Sequence, residues 1–141
     1  MSPSPPFRLL PELGERNRRF WTAGGDGRLE LLCCEDCGYV VHPPAPICPR
    51  DYSKHLAWKP VSGRATVATF TVNHQPWMPG PELPYVVAIV ELAEQPSVRL
   101  TTNIVGCAPD AVTIGMPVRV VFEAHGDVWI PLFEPAARDE S

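Results

Sequence analysis

The sequence predicts a mainly β protein: a short N-terminal helix, a small metal-stapled hairpin and, behind them, a barrel of five short strands. Three observations predict it. Three cysteines and an aspartate stand at paired two-residue spacings between Cys34 and Asp51, five β-prone runs separated by turn residues follow Ser62-Gly63, and a helical stripe of apolar residues precedes Gly24-Gly25.

With 141 residues, 45% of them hydrophobic, the chain can bury one core, or one core plus a small metal-held module. Residues 1–6 (Met-Ser-Pro-Ser-Pro-Pro) are too proline-rich for regular structure, so residues 1–10 read as a flexible arm. From Glu12 to Ala23 the apolar Leu13, Phe20 and Trp21 recur at helical spacing. Glu12 and Glu15 fall in the first turn, where the helix end favours acids, and Gly24-Gly25 ends the helix. Arg28–Cys33 and Tyr39–His42 read as a hairpin broken by Pro43-Pro44, and Leu56–Pro60 as a third strand. Residues 11–62 are thus expected to hold the helix and a ribbon.

The ribbon carries Cys34-Glu35-Asp36-Cys37-Gly38, ten residues, then Cys48-Pro49-Arg50-Asp51. Two residues between ligands let a tight turn bring both side chains onto one ion, and Gly38 supplies the positive φ that such a turn needs. A second pair opposite completes a tetrahedron. The spacing is that of a rubredoxin-like zinc ribbon, with Cys34, Cys37, Cys48 and Asp51 as ligands of a structural zinc. A carboxylate is a harder ligand than thiolate but binds zinc at about 2.0–2.2 Å. Cys33, His42 and His55 stand as alternative fourth ligands, and a decayed, metal-free knuckle as an alternative to all of them. A catalytic zinc with an open position conflicts with the way such knuckles close round the ion.

Beyond Ser62-Gly63, strands are expected at Arg64–His74, Tyr85–Leu92, Val98–Val105, Pro117–Ala124 and Val128–Leu132, with a helical turn near Pro109–Ile114. Five strands with a turn of helix between the third and fourth is the order of an OB-fold, a small partly open barrel, placed here at residues 63–135. The charged end from Glu134 reads as fraying, with residues 136–141 as a flexible tail and Phe133 at its start.

Charge divides the chain. Residues 1–64 carry nine Lys/Arg against seven Asp/Glu, whereas residues 65–141 carry three against nine. An acidic barrel repels phosphate, so nucleic acid is not an expected partner. The longest apolar run, Tyr85–Val90, is far short of the ~20 residues of a membrane-spanning helix, and residues 1–10 lack the pattern of a secretory signal. Cysteines at ligand spacing fit a reducing compartment better than a disulfide framework, so the expected location is cytoplasmic, away from any membrane.

A resemblance rests on these residues in order: the helix, Cys-x2-Cys-Gly, Cys-Pro-x-Asp, Leu56-Ala57-Trp58, Val61-Ser62-Gly63-Arg64-Ala65-Thr66-Val67, Thr69-Phe70-Thr71-Val72, Pro84-Tyr85-Val86-Val87-Ala88-Ile89-Val90 and Ile114-Gly115-Met116-Pro117-Val118. From about Pro11 to Pro135 the chain resembles a bacterial and archaeal family of zinc-ribbon plus OB-fold proteins, long catalogued as a domain of unknown function. It departs from that family at Asp51, usually cysteine, and at Tyr52, often glycine. The resemblance implies an accessory subunit for thiolases, acyltransferases or lipid-transfer-protein-type aldolases that cut steroid side chains. The complex would act on a coenzyme A thioester, with two copies of this chain flanking a partner dimer.

No nucleophile elbow, phosphate loop, Rossmann fingerprint or zinc-protease helix is present, and His42, His55, His74 and His125 are isolated, so no catalytic residue is expected. Three functions compete: a non-catalytic subunit of a thiolase-like enzyme, a free-standing acyl-CoA binder and a nucleic-acid module, the last disfavoured by charge. For a subunit, the expected partner contacts are Trp77 and Met78, on a loop stiffened by Pro76, Pro79 and Pro81, then Phe20, Trp21 and Phe133.

Overall fold

A computed structural model of the chain describes residues 10–15, 17–75 and 84–136. After helix α1 (Arg18–Thr22) come β1 (Leu29–Cys34), β2 (Val40–Val41) and β3 (Leu56–Val61), which form an antiparallel sheet in the order β2-β1-β3. Ser62-Gly63 then leads into β4 (Arg64–Asn73), β5 (Tyr85–Leu92), β6 (Arg99–Ile104), β7 (Pro117–His125) and β8 (Val128–Pro135). These close into a barrel in the order β4-β5-β6-β8-β7. All its pairings are antiparallel except β6 with β8, which meet in parallel at Ile104 and Phe133. That order, with a 3-10 turn at Pro109–Ala111 between β6 and β7, is the five-stranded OB arrangement expected from the sequence.

The N-terminal helix is shorter than the expected Glu12–Ala23. Asn17 accounts for its late start: its side-chain oxygen accepts from the Gly14 N–H at 2.7 Å and its amide donates to Glu12 O at 3.1 Å. These bonds hold the preceding residues in a turn that competes with helix. Gly24-Gly25 does not simply stop the chain, because α1 runs on as a 3-10 turn over Ala23–Asp26. Gly24 serves close approach there: a Cβ would lie 2.5 Å from the Phe122 ring and 2.6 Å from Trp129 Cβ, so only glycine lets this turn lie on β7 and β8.

The core is shared between the two sheets. Leu29, Leu31, Cys33 and Val40 of the ribbon join Phe20 and the inward residues of the barrel, among them Val67, Val90, Leu92 and Phe133. Phe133 is fully buried in β8, and that strand continues to Pro135, so the expectation that the chain frays from Glu134 is corrected. Glu30, itself 3% exposed, is held by Arg19 of α1 at 2.6 Å. Gln95, between β5 and β6, grips the ribbon: its amide oxygen accepts from the Val40 N–H and its NH₂ donates to Val40 O, both at 3.0 Å. No helix among the described residues is long and apolar enough to cross a membrane.

Candidate functional site

Strand β1 positions the site because both its faces are covered. Side chains alternate along a strand, so the adjacent Cys33 and Cys34 part company. Cys33 belongs to the core shared with the barrel, where burial pushes its thiol pKa up. Cys34 faces the other way, into a small cluster with Leu32, Val41 and Cys48.

Two matching turns bring the remaining donors to it. The Gly38 N–H donates to Cys34 O at 2.9 Å, and the Tyr52 N–H donates to Cys48 O at 2.8 Å. Gly38 and Tyr52 occupy the same place in the two turns, with φ of 77° and 61°. In the second turn the Arg50 N–H donates to Cys48 Sγ at 3.4 Å and the Ser53 N–H to Asp51 Oδ1 at 3.0 Å. Each donor lies two residues past its acceptor, so the backbone holds the Asp51 carboxylate as it holds the Cys48 sulfur.

The donor atoms of Cys34, Cys37, Cys48 and Asp51 all lie within 4.8 Å of one another. Cys37 Sγ is 3.7 Å from Cys48 Sγ, and Cys34 Sγ is 3.5 Å from Asp51 Oδ1. A tetrahedron with bonds of about 2.3 Å to sulfur and about 2.0 Å to oxygen has edges of roughly 3.8 Å and 3.5 Å, so the donor set fits one zinc ion.

The electrostatics of the cluster also favour a cation. Burial opposes ionisation of Cys34, but backbone bonds at Cys37 and Asp36 and the neighbouring thiols outweigh it and hold its pKa below the usual thiol value. At Cys37 a backbone bond at Tyr39 favours the thiolate, yet burial and the Cys34, Cys48 and Asp51 donors push its pKa up to about 11. The Ser53 N–H above all holds Asp51 below the usual carboxylate range. Four acceptors this close cannot all ionise unless a cation joins them.

The alternative fourth ligands lie elsewhere. His55 Nδ1 is 3.1 Å from Asp36, which also accepts from the Ser53 hydroxyl. His42 packs against Phe20, ring centres 5.2 Å apart, and burial lowers its pKa.

His42 also lines a feature absent from the sequence reading, a cleft of 530 Å³ between the ribbon side, with α1, and the outer face of β5, β6 and β8. Phe20 and Trp21, expected as partner contacts, wall this cleft: Phe20 is buried and Trp21 half-buried, edge-on to it at 4.7 Å. Phe20 and Phe133, expected as partner contacts, are both buried within the chain. Trp77 and Met78 lie outside the described residues. The most exposed large apolar groups among the described residues, missed in the sequence, are Tyr52, 78% exposed, and Ile114, 70% exposed. The glycine-like turn position was the available signal for Tyr52.

Comparison with known proteins places this architecture. The family model described as the ChsH2 rubredoxin-like zinc ribbon domain matches residues 21–55, and that of the ChsH2 C-terminal OB-fold domain matches residues 58–123. A probable enoyl-CoA hydratase alpha subunit of Thermomonospora curvata is 41% identical over 135 residues, covering 95% of this chain and 42% of that protein. The 3-oxo-4,17-pregnadiene-20-carboxyl-CoA hydratase alpha subunit of Mycobacterium tuberculosis is 34% identical over 131 residues, covering 93% of this chain and 41% of that protein. The chain therefore spans about two fifths of the length of these curated relatives. Among solved structures, a chain of an Ltp2-ChsH2(DUF35) aldolase superposes with a TM-score of 0.81 at 39% identity, over 91% of this chain and 100% of that one. The chain belongs to the ChsH2 family of DUF35 proteins, a rubredoxin-like zinc ribbon joined to an OB-fold domain.

Proposed function

We propose that this chain is the non-catalytic subunit of a thiolase-like aldolase that cleaves the side chain of a steroid coenzyme A thioester. It binds and stabilises the catalytic partner, with two copies on a partner dimer. The observation that carries the reading is the match over the whole length of a chain from an Ltp2-ChsH2(DUF35) aldolase. The steroid assignment draws on the name of the mycobacterial relative. Hydratase chemistry is not part of the proposal, because this chain matches only about two fifths of the relatives that bear that name.

Within the subunit, Cys34, Cys37, Cys48 and Asp51 hold a structural zinc. Bound there, the ion supplies a cross-link between the two turns. The protein's own residues orient the donors: the backbone N–H groups of Arg50 and Ser53 fix the second pair, and β1 presents Cys34.

Co-expression with a thiolase-like partner followed by size-exclusion chromatography tests the assignment. A stable complex of two copies of each chain is expected. Separate elution of the two proteins at micromolar concentration contradicts it.

A further inference from the structure

The cleft beside the ribbon is separate from the metal cluster, and its chemistry restricts what it can take. Its 530 Å³ falls within the roughly 300–1,000 Å³ of small-molecule pockets. Phe20, Trp21 and Pro44 wall one side and Val87, Thr101 and Ile130 the other.

The polar groups on those walls are largely engaged. Arg99 pairs with Glu91 at 3.2 Å, the Thr102 hydroxyl donates to Pro131 O at 3.1 Å, and the Asn103 amide donates to Val86 O at 2.8 Å. Arg99 is the one Lys or Arg among the described lining residues, and it already faces a carboxylate. A phosphate or fatty-acid carboxylate would therefore lose its hydration without gaining an unpaired cation. His42 differs from these: its Nδ1 is buried without a hydrogen-bond partner. Burial favours the uncharged ring, which has one donor and one acceptor nitrogen and so can meet a hydroxyl or a carbonyl oxygen.

We propose that this cleft binds a neutral fused-ring hydrocarbon bearing one or two oxygen functions, a steroid nucleus in size and polarity, with His42 hydrogen-bonded to one of the oxygens. The choice of steroid among polycycles rests on the proposed function; the neutrality rests on the cleft alone.

Equilibrium dialysis of the zinc-loaded full chain against radiolabelled progesterone, which carries no coenzyme A, tests this directly. Saturable binding is expected. Val87→Trp, filling the cleft from β5, and separately Thr101→Trp, filling it from β6, should each weaken binding at least about tenfold, or 1.4 kcal/mol, with zinc content and circular dichroism unchanged. His42→Phe should weaken it less. The absence of saturable binding overturns the proposal, as does equal binding by both folded, filled variants. Displacement of progesterone by equimolar palmitate or coenzyme A overturns the neutral class. A complex that forms with the aldolase partner while progesterone fails to bind overturns this inference and leaves the subunit role standing. Progesterone binding without complex formation does the reverse.

Discussion

The ribbon and the barrel hold short strands together by different means. The barrel closes its ladder on itself, β7 returning to β4, and fills its interior with residues such as Val67, Val90 and Phe133. The ribbon's sheet ends in a two-residue strand, and the buried cluster of its own is Leu32, Cys34, Val41 and Cys48, half of it candidate metal ligands. So little apolar surface cannot offset the entropy of ordering two turns. Stability in the barrel is therefore a matter of burial, and in the ribbon of the metal together with the core that β1 shares with the barrel.

The sharpest way to break that comparison is to remove the metal. Structural zinc can contribute on the order of 10 kcal/mol, as much as the whole stability of a small domain. Chelation, or Cys37→Ser, should strip hydrogen-exchange protection from the two turns and β2 while β4 to β8 keep most of theirs. Equal loss in both regions would erase the distinction. Next comes the junction: Gly24→Ala drives a methyl group into Phe122 and Trp129 and should cost about 1–3 kcal/mol in thermal unfolding, with zinc content unchanged.

A smaller effect is expected at the clamp. Gln95→Ala leaves the Val40 N–H and C=O without their side-chain partner, a loss of about 1 kcal/mol, and should speed exchange of the Val40 amide more than that of any barrel amide. The smallest is at Tyr52, whose φ of 61° suits glycine. Relief of strain of about 1–2 kcal/mol against an entropy cost of about 0.5–1 kcal/mol should leave Tyr52→Gly slightly more stable in its zinc-loaded form, measured by denaturant midpoint.

The same contrast decides what could be read from the sequence. Strand alternation and ligand spacing are local, so the barrel strands and the Cys34, Cys37, Cys48 and Asp51 cluster were legible residue by residue. What depends on the meeting of the two units was not. Phe133 followed the expected end of a strand and looked like tail, yet the parallel pairing with Ile104 draws it into the core. Phe20 fitted a helical stripe facing a partner as well as one facing the ribbon, and the docking of α1 puts it in the core that ribbon and barrel share. Gly24 looked like a helix stop when its role is contact with β7 and β8, and the cleft appears only once α1, the β2 exit and β8 are brought together. The Asn17 side-chain bonds that delay the helix could have been anticipated from residue type, since asparagine competes for backbone groups.

The central claim, a metal-held subunit without catalytic residues of its own, is tested most directly by aldol cleavage of a steroid coenzyme A thioester with the thiolase-like partner alone, this chain alone and the two together. The account predicts no turnover by this chain, little by the partner alone and full turnover by the pair. Equal activity and solubility of the partner without this chain would contradict it.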